Sequence, residues 1–243
     1  MVTYSDANSK LKKLYDKPYL RRWLRGRKVY SLDLLSGWSC PFADECKSKA
    51  IVVNGKRRIQ DGPKCKFRCF SASQEVQYDH VYNRRKANFD AVRHAKTKAR
   101  IVKLLLDSLP ADAGIVRYHV AGDFFSLAYF EAAIEVAKRR PDVLFYAYTK
   151  AVGYWIKNLE RIPANMVLTA SVGGLFDEAI ETFGLRYARV VFSTYEARKL
   201  GLVLDNDDSH AADPSRRDRS FGLLIHGTQP KGTKAAKIVS KRR

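Results

Sequence analysis

Apolar residues along the chain fall into short runs that alternate with segments of helical periodicity. The runs are rich in Val, Ile, Leu, Phe and Tyr, which is typical of strands buried on both faces. They lie at residues 28–35, 115–122, 144–150, 166–174, 188–194 and 221–227. Strands that alternate with helices in this way predict right-handed βαβ units. We therefore expect an α/β fold with a parallel sheet covered by helices, either doubly wound or an incomplete barrel.

The segments between these runs carry helix signals. Residues 126–140 begin at a capping Ser126, repeat apolar side chains at helical spacing and stop before Pro141. Residues 78–109 predict one long helix or two, closed by Pro110. Shorter helices are expected at VGYWIKNLER and LFDEAIETFG, in the next two gaps.

The two ends of the chain differ from this central pattern. Residues 1–27 predict a basic extension of two short helices, the first capped by Ser5 or Asp6 and the second starting at Pro18. Residues 28–230 then form the α/β body, which contains a cysteine loop at 36–73, and residues 231–243 form a basic tail.

The net charge of +20, from 45 Lys and Arg against 25 Asp and Glu, indicates what kind of partner the protein binds. Such an excess favours a polyanion, with nucleic acid first. Nine cations lie between Lys10 and Lys28, eight between Lys47 and Arg68, and six from Lys231 onwards. Solvated tails explain the two terminal runs equally well. The middle run lies among the cysteines, which ties it to a specific loop.

Polar residues and glycines collect where the predicted strands end. In parallel α/β folds the chemistry lies at the carboxyl edge of the sheet. The residues at these positions are Gly122, Asp123, Thr149, Lys150, Ser171, Gly173, Gly174, Ser193, Thr194, His226 and Gln229, with the cysteine loop after the first strand.

All the cysteines of the chain, Cys40, Cys46, Cys65 and Cys69, lie within that one loop. Their spacing is C-x5-C and C-x3-C, separated by 18 residues. Structural zinc sites use C-x2–4-C pairs, so the first pair is too wide for one, whereas iron–sulfur clusters accept more varied spacing. We expect the four thiols to bind a metal, as an iron–sulfur cluster or, alternatively, as a structural zinc site.

Other polar residues have weaker signals. His119 lies inside a strand pattern, where a core histidine is the first interpretation and a substrate or cluster contact the second. His226 is a polar cap or a member of the site. Residues 204–220 hold five Asp and three Arg, and we expect a solvated mobile loop there, with a divalent metal site as the alternative.

Four segments of the chain carry a resemblance to a known family. They are CPFADEC with CKFRCFSAS, YHVAGDFFSLAYFEAAIEVAKRRPDVLFYAYTK, SVGG and SFGLLIHGTQPKGT. Together they resemble the phage-associated gene product 88 domain family over about residues 30–240. That family is in turn similar to phage proteins related to spore photoproduct lyase and to the radical S-adenosylmethionine superfamily.

The resemblance implies a partial (β/α)6 barrel with a [4Fe–4S] cluster in the loop after the first strand. The superfamily motif C-x3-C-x2-C is absent here, but C-x3-C with an upstream cysteine still supplies three ligands. S-adenosylmethionine would then bind the open iron, and Asp123 takes the place of the carboxylate that receives its amino group. The expected cofactor-binding residues are Gly122, Asp123, Thr149, Lys150, Ser171 and Gly173; no catalytic residue is assigned.

The sequence thus favours an iron–sulfur, radical S-adenosylmethionine-like phage protein that acts on or beside nucleic acid. The alternative is a non-catalytic nucleic-acid-binding module braced by a structural metal. The chain has no apolar run of the roughly 20 residues that a membrane span needs. We expect it in the cytoplasm of a bacterial host, with its thiols reduced.

Overall fold

The alternation of strands and helices expected from the sequence is present throughout the body of the chain. The structure, a computed structural model, describes residues 1–241. The strands are β1 Ser5–Asp6, β2 Lys28–Leu32, β3 Ser48–Val53, β4 Lys56–Asp61, β5 Ala113–Tyr118, β6 Leu144–Thr149, β7 Met166–Ser171, β8 Tyr187–Val191, β9 Val203–Leu204 and β10 Phe221–Leu224. The six predicted runs correspond to β2, β5, β6, β7, β8 and β10.

The helices fill the predicted gaps. They are α1 Arg21–Leu24, α2 Phe70–Gln77, α3 Asp79–Ala95, α4 Lys98–Ser108, α5 Leu127–Arg139, α6 Val152–Ile156, α7 Asp177–Thr182, α8 Thr194–Lys199, α9 Ser209–Ala212 and α10 Lys234–Ser240. Short 3-10 helices cover Leu11–Asp16, Pro18–Leu20, Leu159–Arg161 and Pro214–Arg216. Within residues 1–241, no helix is long and apolar enough to span a bilayer.

The main sheet is mostly parallel, which confirms the α/β class. Its order within the described residues is β1-β2-β5-β6-β7-β8-β10-β9. The strands from β2 to β9 pair in parallel, and β1 pairs with β2 antiparallel. The six predicted strands are therefore neighbours in chain order, and their carboxyl ends meet along one edge.

The two faces of the sheet are covered differently. On β6, Phe145 and Ala147 join a core cluster with α4 and α5, while Leu144 and Tyr146 join a second cluster on the other face. Residues of the N-terminal segment complete that second cluster, namely Leu11, Leu14, Leu20 and Trp23. The N-terminal segment thus covers one face of the sheet, with its apolar side inward.

The start of this segment differs from the prediction. Ser5 and Asp6 pair with β2 and cap no helix. The Oδ1 atom of Asn8 accepts hydrogen bonds from the backbone N–H groups of Lys10 and Leu11, both at 3.0 Å. Asn8 is therefore the residue that starts the first helical turn, and the turns that follow are 3-10 rather than α.

The predicted helices of the body are confirmed. Residues 78–109 form two helices, α3 and α4, because Lys96 between them takes a positive φ of 60° that ends the first. The hydroxyl of Ser126 accepts the N–H of Tyr129 at the start of α5. The predicted basic tail contains α10, and Arg242 and Arg243 lie outside the described residues.

The acidic segment 204–220 is not a solvated loop, and that prediction was wrong. Asp205, Asp208 and Asp213 are buried. Asp208 forms ion pairs with Lys10 (Nζ to Oδ1, 2.6 Å) and with Arg117 of β5. The hydroxyls of Tyr146 and Tyr148 on β6 donate to the same carboxylate at 3.0 and 3.3 Å. This set of residues 10, 117, 146, 148 and 208, the Asp208 cluster, joins three distant parts of the chain.

Electrostatics keeps this carboxylate charged. Burial acts to raise the pKa of Asp208, but the charges of Arg117 and Lys10 outweigh it and hold the pKa below its usual value. Burial likewise opposes the charge on Arg117, while Asp208 raises the pKa of the guanidinium above its usual value. The pair is therefore ionised at neutral pH, and each partner depends on the other.

We expect Asp208→Asn to lower the free energy of unfolding by about 3 kcal/mol, because it leaves Arg117 buried without a counter-charge. Asn also tolerates the left-handed backbone at this position, where φ is 61°. Chemical denaturation at neutral pH measures the effect. The exposed Asp218→Asn in the same segment is the matched control, and equal midpoints for the two variants would contradict the assignment.

Candidate functional site

The cysteine loop begins after β2 and is closed at its base by a buried carboxylate. The N–H and hydroxyl of Ser36 donate to the two oxygens of Glu75 in α2, at 3.0 and 2.7 Å. Arg85 of α3 balances the charge of Glu75 at 3.1 Å. Ser36 begins the loop, and Glu75 lies in α2, which follows Cys69 directly. This contact therefore brings the two ends of the loop together.

The first half of the loop lies against the ends of β5 and β7. The hydroxyl of Ser39 accepts the N–H of Asp123 at 3.3 Å. A Cβ on Gly122, whose φ is +94°, would meet that hydroxyl at 2.6 Å, so only glycine permits this approach. Ala43 forms a β-bridge with Gly174 after β7. The location at the carboxyl edge agrees with the sequence analysis.

A β-hairpin, β3–β4, lies between the two cysteine pairs and was missed in the sequence analysis. It pairs six residues on each strand from Ser48↔Asp61 to Val53↔Lys56. Asn54 and Gly55 form the turn, with φ values of 52° and 74°. An Asn-Gly pair between alternating apolar residues is a strong local signal for such a two-residue turn, so the sequence contained the information.

The second half of the loop is tied to the hairpin and to the end of β10. The Oγ atom of Ser48 accepts the N–H of Cys69 at 3.3 Å and lies 3.6 Å from the sulfur of Cys65. Gln229 accepts the N–H of Arg68 at 2.7 Å and returns a hydrogen bond to its carbonyl at 3.2 Å. The ends of β5, β7 and β10 therefore all hold the cysteine loop.

The four cysteines are free and half-buried. Burial raises the pKa of Cys40 well above its usual value, and the charges of Asp123, Cys69 and Cys46 act in the same direction. Burial raises the pKa of Cys69 to about 11, with Cys46 again adding to the rise. The charge of Cys46 therefore reaches both Cys40 and Cys69. Burial also raises the pKa of Cys65, where Asp61 and Cys46 contribute.

These thiols do not form a closed single-ion site. Across residues 1–241, no group of three or more His, Cys, Asp or Glu side chains is arranged to hold a metal ion. The alternative of a divalent metal site among the aspartates of residues 204–220 is not supported within the described residues either, and Asp208 pairs with Lys10 and Arg117. The thiols of the cysteine loop are ligands of the kind that soft metals prefer.

Asp123, expected to contact a cofactor, is occupied by the protein itself. It accepts hydrogen bonds from the Thr149 hydroxyl at 2.6 Å, the Lys150 N–H at 2.7 Å and the Phe124 N–H at 2.7 Å. Burial raises the pKa of Asp123 to about 6, against the effect of these donors. Asp123 therefore joins the ends of β5 and β6 next to Cys40.

Lys150 is likewise satisfied internally. Its ammonium group donates to the carbonyl and hydroxyl oxygens of Ser171, at 2.8 and 2.9 Å, and to the carbonyl of Val172 at 2.8 Å. Three acceptors use the three protons of the group. Lys150 thus connects the ends of β6 and β7, on the same edge as Asp123.

The backbone N–H groups of Gly173 and Gly174, which were expected to favour an anion, already bind one. They donate to the carboxylate of Asp177 at 2.7 and 3.0 Å. The carbonyl of Gly173 accepts the N–H groups of Asp44 and Glu45 at 3.2 and 3.0 Å. All six predicted cofactor-binding residues therefore lie together, and they bind each other and the cysteine loop.

His119 has the character of a core residue. It is buried, with its Nε2 atom 2.8 Å from the hydroxyl of Tyr129 and no partner on Nδ1. Its φ of 69° turns the chain after β5 towards Gly122. His226, in contrast, packs its ring against Phe70 at a centroid distance of 5.1 Å, beside the second cysteine pair.

The Asp208 cluster also belongs to the polar residues missed in the sequence analysis. Arg117, Tyr146 and Tyr148 point to the same face of β5 and β6, and an Arg inside an apolar strand pattern is a signal for a buried partner. The partner itself, Asp208, had no local signal, because the aspartates of its segment look alike in sequence.

The pKa of His119 predicts a pH dependence of stability. Burial lowers this pKa to about 3, and the charge of Arg117 acts in the same direction. The folded state then binds its proton less readily than the unfolded state, whose pKa is about 6.5. The stability conferred by the neutral ring is present above that value and is lost as the pH falls towards 3.

We therefore expect wild-type protein to lose roughly 2 kcal/mol relative to His119→Gln between pH 7.5 and pH 5. Denaturant titrations of both proteins across this range provide the measurement. The exposed His94→Gln is the control and should follow the wild type. Parallel curves for wild type and His119→Gln would show that His119 titrates normally.

Comparison with known proteins gives one finding. The model of the family described as gene product 88 matches residues 3–242. Searches of the curated proteins and of the solved structures found no match. The match starts well before the resemblance noted at residue 30, so the N-terminal segment that covers the sheet is part of the family's domain. The chain belongs to the gene product 88 family.

Proposed function

We propose that this protein binds a [4Fe–4S] cluster through Cys40, Cys46 and Cys69. The observation that carries the proposal is that the carbonyl of Glu45 accepts the N–H groups of Lys66 and Phe67 at 2.7 and 3.3 Å, which holds the segments of the two cysteine pairs side by side, although 22 residues and a hairpin separate Cys46 from Cys69. Three free thiols that meet at the carboxyl edge of a parallel sheet form the donor set of a cluster with one open iron.

Cys65 is not a cluster ligand in this proposal. Its sulfur donates to the carbonyl of Phe67 at 3.1 Å and lies next to the hydroxyl of Ser48. Burial raises its pKa, and the charges of Asp61 and Cys46 act in the same direction.

A cluster and a zinc ion require different arrangements of their thiolate ligands. Thiolates around one Zn²⁺ each lie about 2.3 Å from the metal and so lie close to one another. In a [4Fe–4S] cluster each thiolate binds a different iron, so the sulfurs are held further apart. The thiols act on one another, but no three of them within residues 1–241 converge on one ion.

Charge favours a cation at this place. Two buried carboxylates flank the thiols, Asp123 beside Cys40 and Glu75 beside Cys69. Burial is the main reason why the pKa values of Cys40 and Cys69 are raised, and these neighbouring negative charges add to the rise. Bound iron supplies the compensating positive charge and so deprotonates its ligands.

A set of polar residues at the strand ends, called here the frame, positions the cysteine loop. Asp123, Thr149, Lys150 and Ser171 bind one another across the ends of β5, β6 and β7. Gly122 and Gly173 allow the cysteine loop to approach that frame closely. We propose that these residues fix the orientation of the thiol side chains. A cofactor would then bind next to these residues without displacing the hydrogen bonds among them.

Radical S-adenosylmethionine chemistry is the finer part of the proposal. The chain-order succession β2, β5, β6, β7, β8 and β10 of parallel neighbours supports a partial (β/α)6 barrel. When bound, a cluster with one open iron supplies the reductive cleavage of S-adenosylmethionine, and the protein contributes binding, orientation and exclusion of water.

The test is metal analysis of protein prepared without oxygen. We expect about four irons per chain, because a complete cubane cluster is bound. Cys40→Ser, Cys46→Ser and Cys69→Ser should each lose most of the iron. Cys65→Ser is the matched control, since it changes the same atom in the same loop, and it should retain iron and the visible absorbance of the cluster.

Three results would contradict the proposal. Colourless protein with one zinc per chain would show a structural site. Equal loss of iron in all four variants would show that Cys65 is a ligand and that no iron is open. Iron-loaded protein that releases no 5′-deoxyadenosine from S-adenosylmethionine under reducing conditions would leave a cluster of structural or electron-transfer function and would exclude the radical chemistry.

A further inference from the structure

The hairpin β3–β4 has two faces of different character. Side chains alternate along its strands, so Ser48, Ala50 and Ile59 lie on one face with Arg57 and Asp61. Ser48 and Ala50 are buried. The charges on this inner face are neutralised, because Arg57 pairs with Asp79 and Asp61 with Arg68. The base of the inner face therefore packs onto the domain, while Val52 on the same face, near the turn, is 60 % exposed.

The outer face carries unpaired cations. It consists of Lys49, Ile51 and Val53 of β3 and of Lys56, Arg58 and Gln60 of β4. Lys56 and Arg58 are exposed and form no ion pair within the described part of the chain. No carboxylate belongs to this face, so its positive charge is not balanced locally.

Trp38 extends the outer face with an aromatic ring. Its side chain is 47 % exposed, which is unusual for the largest apolar side chain. The Nε1 atom donates to the carbonyl of Ala50 at 2.9 Å, and the ammonium of Lys49 lies 4.3 Å from the ring centroid. The ring is thus held in a fixed position beside the cations rather than free on the surface.

We propose that Trp38 and the outer face of β3–β4, with Lys49, Ile51, Val53, Lys56 and Arg58, bind single-stranded nucleic acid. A strand whose bases are unpaired presents both a polyanionic backbone for the three cations and base faces for the aromatic ring. A duplex offers the same charge but keeps its bases stacked inside. The net charge of +20 draws the polyanion to the protein, and the outer face gives it a specific place.

The proposal is independent of the metal. None of the residues of the outer face is a thiol, and the hairpin packs through its other face. Loss of the cluster and loss of nucleic-acid binding can therefore be measured separately, on protein with or without iron.

The test uses a fluorescent 20-mer of deoxythymidine and anisotropy titrations over a range of salt concentrations. We expect the triple variant Lys49→Glu, Lys56→Glu, Arg58→Glu to bind at least tenfold more weakly. Its plot of log affinity against log salt should be less steep by about 2, since each single-strand phosphate contact contributes about 0.7.

The matched control is the triple variant Lys12→Glu, Lys13→Glu, Arg21→Glu. These exposed residues lie in the N-terminal segment, and the substitutions change the net charge of the protein by the same amount. We expect the control to bind within threefold of the wild type. Equal losses in both triple variants would overturn the proposal, because binding would then follow net charge alone.

Two variants of Trp38 test the stacking. Both Trp38→Phe and Trp38→Ala lose the hydrogen bond to Ala50, but only Phe retains a ring. We expect roughly tenfold weaker binding for Trp38→Ala and near wild-type binding for Trp38→Phe. Equal losses would overturn the stacking contact. Tighter binding to a 20-base-pair duplex, or binding only to anionic lipid vesicles, would overturn the assignment of the partner.

Discussion

The fold depends on one buried carboxylate more than on any other polar group. Asp208 accepts from Lys10, Arg117, Tyr146 and Tyr148, which belong to the N-terminal segment, β5 and β6. Apolar packing brings these elements together without fixing their relative positions, because hydrophobic contact has no direction. Charged hydrogen bonds do have direction, so this cluster determines how the N-terminal segment lies across the sheet.

At the carboxyl edge of the sheet, a second group of polar residues fixes the relative positions of the strand ends. Asp123 and Lys150 use their hydrogen-bonding capacity on the ends of β5, β6 and β7. The residues that the sequence marks as chemical are therefore in part architectural. Their position follows from the physics of parallel sheets, where free strand ends need polar partners whether or not a ligand is bound. On this edge, the thiols are the potential metal ligands that hydrogen bonds within the protein occupy least.

Local sequence patterns correctly predicted the structural features that depend on interactions within a few residues. Strand runs, the Ser126 cap and the division between α3 and α4 follow from periodicity and backbone preference within a few residues. The burial of Asp208 does not, since Arg117 and Tyr146 lie 91 and 62 residues away from it. The hairpin between the two cysteine pairs is a different case: its Asn54-Gly55 turn is a local signal, so the missed hairpin was within reach of sequence reasoning.

Ser48 connects the two surfaces to which function is assigned. It is the first residue of β3, and its hydroxyl also accepts the N–H of Cys69 and lies beside the sulfur of Cys65. A hairpin anchored in this way cannot shift at its base without moving the backbone that carries the second pair of thiols. The outer face of the hairpin and the proposed metal ligands are therefore chemically separate but mechanically connected, and single-stranded nucleic acid bound to Trp38 would lie beside the carboxyl edge of the sheet.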